Sequence, residues 1–319
     1  MVSESTSPRL RAAVGWLGLI AAIGMFLVLI AGETVTTTGS AQGCGHDWPL
    51  CRGQFVPEFA ITTAIEYTHR VMTAAEGILV VLLTAGLLLL YWPRISARVL
   101  SVLLVGSIVL QAGMGAWAVM RPTDPTVLAL HFGISLIAFS AAVLAALTAR
   151  WPERTLEATR IRPGVRAATW VMAVYLYALI YSGAFIRHAA AAFACPSWPL
   201  CGASPSPGAL EALNLLHRGA AGLALVLAIG LTVLYSWQTP ARRDLAVGGW
   251  MLIASLGIQA VAGAYLVTSH WSLYGELLHG GVTALVFAAA AYLCFRVTVG
   301  TRLRGAEARA PARGTEQPA

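Results

Sequence analysis

Eight runs of about 20 mostly apolar residues, separated by short polar breaks, fill this chain, and each is long enough to cross a bilayer at a rise of about 1.5 Å per residue. Little is left over for a water-soluble domain. Of the 319 residues, 58% are hydrophobic and 11% charged, against roughly 25% charged in a soluble domain. The expected class is an all-α integral membrane protein. Its spans are expected near residues 13 to 32, 64 to 91, 97 to 119, 127 to 149, 166 to 187, 210 to 236, 245 to 268 and 273 to 297.

The net charge of +7 would suit a nucleic-acid binder, but every basic residue is Arg and the arginines follow the spans instead of gathering on one surface. Arg9, Arg11, Arg94, Arg98, Arg150, Arg154, Arg160, Arg162, Arg166, Arg242, Arg243 and the stretch from Arg296 to Arg313 fall on one side of the predicted membrane. Arg52, Arg70, Arg121, Arg187 and Arg218 fall on the other. The positive-inside rule makes the first side cytoplasmic, with both termini there and the two longer loops, 33 to 63 and 188 to 209, outside. The polar first ten residues and the full-length run that follows predict a retained first helix, not a cleaved signal. The tail beyond 298 is rich in Ala, Arg, Gly and Pro and is expected to stay solvated.

Shifting the chain by 148 residues overlays His69-Arg70 on His217-Arg218, Gln111 on Gln259 and His131 on His279. Trp48-Pro49-Leu50-Cys51 overlays Trp198-Pro199-Leu200-Cys201 at an offset of 150. The expected organisation is therefore a tail (1–12), a four-helix unit (13–149), an Arg-rich linker (150–165), a second four-helix unit (166–298) and a tail (299–319).

In each unit the second and fourth helices carry one histidine near the outer end, so the paired rings lie at similar depth. A polar ring inside a span is costly and marks function, and two imidazoles facing each other across a bundle suit the axial positions of a haem iron. A single such histidine would read as a core residue bonded to a neighbouring helix. Four at repeated positions read as ligands. Zinc or copper would call for further Cys or carboxylate ligands, and only Glu66 stands nearby. Arg70 and Arg218 follow their histidines and could pair with haem propionates or snorkel to the interface. Gln111 and Gln259 either line the pocket or bond between helices. His46, His188 and His270 read as surface residues.

Glu66 lies one turn before His69 on the same helix face, and the matching residue of the second unit is Asn214. A carboxyl can move protons or hold a reacting group where an amide cannot, which puts chemistry in the first unit; the plainer alternative is a cap on the helix start. Glu33 and Asp47 are expected to be solvated in the outer loop, and Glu76, deeper in the second span, receives no role. Cys44 with Cys51 and Cys195 with Cys201 are close in sequence on the outer face, where an oxidising compartment favours two local disulfides, structural or redox-active. Cys294 reads as a small packing residue.

These residues resemble the haem A synthase family, which converts haem O to haem A for haem-copper terminal oxidases. The resemblance rests on TGSAQGCGHDWPLCRG (38 to 53), IEYTHR (65 to 70), the His131 segment, CPSWPLCG (195 to 202), LLHR (215 to 218) and LLHGG (277 to 281). It implies two pseudo-symmetric four-helix bundles in a bacterial cell membrane. It further implies haem b held by His217 and His279, haem O between His69 and His131, and Glu66 as the catalytic residue oxidising a methyl group to formyl through successive hydroxylations. Haem O synthase, the farnesyltransferase that makes the substrate, and terminal oxidase assembly are the implied partners, with a homo-oligomer also open. Thr36 departs from the Arg found in many members. A di-haem electron carrier and a haem chaperone or transporter are the competing classes; a carboxyl in one half only argues against both.

Overall fold

Prolines punctuate the apolar runs where helices begin and end. Pro8, Pro125 and Pro163 open their helices, at a position whose missing N–H costs nothing. Pro93 and Pro240 follow the ends of the second and sixth. A computed structural model of the chain describes residues 8–120, 124–150, 161–189, 191–202 and 208–307, the side chains of 300–307 excepted. Arg121, Arg154, Arg160, most of the expected linker and both terminal extremities lie outside the described residues.

Among these residues there are eight long helices: α1 (Pro8–Thr37), α2 (Ile61–Tyr91), α3 (Ile95–Met120), α4 (Pro125–Arg150), α5 (Pro163–His188), α6 (Ala209–Gln238), α7 (Arg243–Thr268) and α8 (Leu273–Glu307). A short 3-10 helix, Ala191–Ala194, follows α5. All eight are long and apolar enough to span a membrane, so the chain is an all-helical, multi-pass membrane protein. Every expected span coincides with a helix. The largest difference is at the end of α8, which is helical to Glu307 and so takes in the first part of the stretch expected to be a solvated tail; α1 likewise runs on to Thr37 where the apolar pattern stops near residue 32. Glu33 is therefore not a solvated loop residue but a buried helical one, 8% exposed.

Apolar side chains face both ways, as a bilayer allows. Leu89, Val102 and Val261 are 70 to 81% exposed on the outer surface, where hydrocarbon replaces water as the solvent. Inside, Met25, Leu83, Leu87, Leu104 and Leu136 of α1–α4 form one cluster. Met172, Leu176, Tyr235, Leu252 and Leu293 of α5–α8 form a second. The seam between them is made by α1, α4, α5 and α8, with Ala284 and Phe287 of α8 packing into the first cluster.

Because lipid tails are as apolar as leucine, association depends on close van der Waals approach at small residues. Gly18 of α1 meets the backbone of Ala146 of α4, and a Cβ at Gly18 would stand 2.8 Å from the Ala146 Cα. Gly86 of α2 meets Val14, and Gly249 of α7 meets Thr232 of α6. At the end away from the cysteine loops, Asp244 joins Arg242 at 2.8 Å and Arg296 at 2.6 Å, tying α7 to α8. Gly18→Val is expected to force α1 off α4 and destabilise the fold by about 1–3 kcal/mol, read as a lower thermal midpoint in detergent with an unchanged midpoint for the lipid-facing control Val102→Leu.

Candidate haem-binding site

His69 is the ninth residue of α2 and His217 the ninth of α6; His131 and His279 are each the seventh of α4 and α8. At about 1.5 Å per residue, all four rings therefore lie roughly 9–12 Å below the ends of their helices, on the side of the cysteine loops. Each ring is received by a glycine on the preceding helix. A Cβ would fall 3.0 Å from the His69 ring at Gly32, 2.8 Å from His217 at Gly183, 3.3 Å from His279 at Gly263 and 3.7 Å from His131 at Gly115. At Gly183 a side chain would force the imidazole to shift, and at Gly32 it would press on the ring.

Gln111 donates from α3 to the His131 carbonyl at 2.7 Å, and Gln259 donates from α7 to the His279 carbonyl at 3.1 Å and to Thr283 Oγ1 at 2.7 Å. Both glutamines thus bond between helices, beside the histidines. The ring nitrogens differ between halves. Nδ1 of His69 and Nδ1 of His131 are buried with no hydrogen-bond partner, whereas His217 Nδ1 is 3.0 Å from Ser182 Oγ. Among the described residues no three His, Cys, Asp or Glu side chains cluster as a metal site. The donor set in each half is two imidazoles with small residues behind them, which fits a flat macrocycle carrying its own four equatorial nitrogens.

Glu66 is 3% exposed and caps nothing of its own helix. Its Oε1 pairs with Arg70, 2.6 Å from NH2 and 3.2 Å from Nε, and its Oε2 accepts the Cys44 N–H at 2.8 Å. A carboxylate offers about four lone-pair positions, so Oε2 keeps one for another donor. Asn214, at the corresponding place in α6, donates to the Ala191 and Leu210 carbonyls. Glu76 is also buried, 2% exposed, with its carboxyl against Gly24 and its Oε1 unpartnered; the residue 148 positions on is Ala224.

Arg70 and Arg218 are engaged with the loops above the histidines. Arg70 NH1 donates to the Asp47 and Leu50 carbonyls, both at 2.8 Å. Arg218 donates to the carbonyls of Ser197, Pro199 and Cys195 at 2.7, 2.9 and 3.2 Å. Each loop is closed by a disulfide, Cys44–Cys51 and Cys195–Cys201. A guanidinium beneath each histidine-bearing helix start thus gathers the carbonyls of a Trp-Pro-Leu-Cys loop. Cys294 is buried as expected. Arg218→Ala should speed reduction of Cys195–Cys201 by a water-soluble phosphine several-fold, followed by thiol alkylation and mass, while Cys44–Cys51 opens at its original rate.

The pattern reading missed a charged group at the seam. Arg187, at the end of α5, pairs with Glu33 of α1 at 2.8 Å and Glu276 of α8 at 2.5 Å, and donates to Thr37 Oγ1 at 2.6 Å. Thr37 in turn donates to Glu276 at 2.6 Å. A cavity of about 770 Å³ opens beside this group, lined also by Gln42, His46 and His188. The signal was available only as three charges near apolar ends, without an offset to link them. Removing one member of a buried pair leaves the other uncompensated, typically costing 3–5 kcal/mol. Arg187→Met is accordingly expected to lower the thermal midpoint sharply, and the double variant Arg187→Met/Glu33→Gln to recover part of the loss.

Residues 15–291 match the cytochrome oxidase assembly protein family. Among relatives, the heme A synthase of Symbiobacterium thermophilum is 37% identical over 287 residues, covering 85% of this chain and 91% of the relative. The heme A synthase of Bacillus cereus strain G9842 is 36% identical over 300 residues, covering 91% and 94%. That of Bacillus anthracis is 35% identical over 295 residues with the same coverage. With a match that runs through all eight helices and both disulfide loops, the chain belongs to the cytochrome oxidase assembly protein family.

Proposed function

We propose that this chain is a haem A synthase, oxidising a methyl group of haem O to formyl through successive hydroxylations. The observation that carries the reading is the pairing of two buried histidine sites with a buried carboxyl at only one of them. His69 and His131 flank the substrate iron, and Glu66, one turn from His69, is the catalytic residue. His217 and His279 hold a haem b cofactor, with Asn214 in place of the carboxyl. When bound, haem b supplies a one-electron carrier on the route out of the reacting half.

The residues divide the work. Oxidising a methyl carbon to an aldehyde releases protons as well as electrons, and a proton acceptor inside an apolar bundle has to be held in one orientation. For Glu66, Arg70 and the Cys44 N–H fix the direction of the carboxyl group, one through Oε1 and the other through Oε2. The remaining lone pair on Oε2 is the place for a water or a transferred proton. Where propionates reach this end, Arg218 retains its Nε–H for one of them, and Arg70, nearly saturated by protein acceptors, has less to offer.

The same reading supplies the organisation and setting. The two four-helix units, 13–149 for substrate and 166–298 for cofactor, form a pseudo-symmetric pair linked by 150–165, with tails at 1–12 and 299–319. Both termini are cytoplasmic and the cysteine loops face the oxidising outer compartment of a bacterial cell membrane, supported by the arginine distribution. Haem O arrives from the farnesyltransferase that makes it, and haem A passes to terminal oxidase assembly.

Co-expression with haem O synthase tests the function, with extracted haems separated by chromatography and identified by mass. Wild type should yield haem A, and Glu66→Gln should stall at haem O or a hydroxylated intermediate with at least a hundredfold less haem A. A wild-type protein that purifies with haem b and never makes haem A would sink the synthase reading in favour of an electron carrier.

A further inference from the structure

The two histidine sites differ in how their rings are held, and Ser182 makes the difference. Ser182 sits on α5 one residue before Gly183, the glycine that receives the His217 ring. Its hydroxyl has a single hydrogen, donated to the Leu179 carbonyl at 2.7 Å. With that hydrogen spent, the 3.0 Å contact between Ser182 Oγ and His217 Nδ1 is made with the ring as donor, and the Leu179 carbonyl, also within reach of the His217 ring, favours the same tautomer. The ring thus has a polar partner on α5 at the nitrogen away from Gly183.

Among the described residues the first half has no such device. The offset of 151 that aligns Gly32 with Gly183 and Cys44 with Cys195 places Ala31 opposite Ser182. His69 Nδ1 is buried with no hydrogen-bond partner, and so is Nδ1 of His131. The His69 ring keeps the same glycine behind it but has nothing to fix its tautomer.

We propose that Ser182 is a positioning residue that makes the second-half site retain its haem, and that Ala31, by withholding the same hydrogen bond from His69, keeps the first-half site exchangeable. The proposal rests on the assignment of cofactor to the second half and substrate to the first. A ring N–H held by an acceptor raises the basicity of the ligating nitrogen and fixes its direction, and losing such a partner typically lowers metal affinity about 10–100-fold. A cofactor site gains from that tenacity. A substrate site, which has to release product every cycle, does not.

The test uses purified full-length holoprotein mixed with excess apomyoglobin, with haem transfer followed in the Soret band and the midpoint potential of the bound haem b measured in parallel. Ser182→Ala is expected to lose haem b at least tenfold faster than wild type, with its potential moved to a more positive value, because a less basic ligand stabilises the ferric state less. Ser182→Thr, which keeps a hydroxyl, should return both quantities towards wild type. Transfer rates and potentials in Ser182→Ala equal to wild type overturn the proposal, as does failure of Ser182→Thr to differ from Ser182→Ala. His217→Ala tests the underlying assignment separately: if it purifies with the full wild-type haem b content, the two-histidine site itself is wrong, whatever Ser182 does.

Discussion

Placing an imidazole inside an apolar helix bundle needs room on the next helix, and four glycines provide it. Gly32, Gly115, Gly183 and Gly263 each lie on the helix preceding the one whose histidine they face. Each adjacent pair, α1 with α2 and so on to α7 with α8, thus shares one constraint. Two helices can approach closely only where one side has no Cβ, and the ring fills the space so made. The fit is tightest at Gly183 and Gly32, at 2.8 and 3.0 Å, while at Gly115 a Cβ would meet the His131 ring at an ordinary 3.7 Å. The same glycines would be poor choices in a helix in water, but in a bilayer the backbone has no competing solvent to bond to.

The disulfide loops depend on the same helix starts. Arg70 and Arg218 follow the histidines by one residue, so the chain that sends an imidazole inward sends a guanidinium up towards the loop. A guanidinium with its N–H groups spread in a plane can collect carbonyls from a tight turn that has no ladder of its own. The first half goes further, because Glu66 binds both Arg70 and the Cys44 amide. Loop, disulfide, arginine and carboxylate there form one connected unit, whereas in the second half Asn214 bonds to backbone carbonyls and leaves Arg218 to the loop alone.

Much of the helical framework was legible in the sequence because bilayer thickness sets a length that apolar runs have to meet, and all eight were found within a few residues at most ends. The four histidines and their arginines stood out through the offset of 148, which needs no structure to see. Glu33 was misread because hydropathy stops where charge begins, while α1 continues to Thr37 as its last turn is covered by α5 and α8. The partners of Arg70 were invisible for another reason: two are backbone carbonyls, which carry no residue identity. Ser182 escaped notice because serine is unremarkable in a span, and only its contact with the His217 ring gives it meaning.

The Glu33–Arg187–Glu276 group has a consequence for how the two halves hold together. None of its three charges has a counterpart in the other half: at the aligning offsets Glu33 meets Ala184, Arg187 meets Thr36 and Glu276 meets Leu128. Arg187 and Glu276 already pair within α5–α8, and Glu33 is the one member that reaches them from α1. The second half on its own would therefore keep a neutral pair, while the first half on its own would be left with a carboxylate and no cation. The bond across the seam is a debt of one side to the other, so α1–α4 depends on α5–α8 more than the reverse.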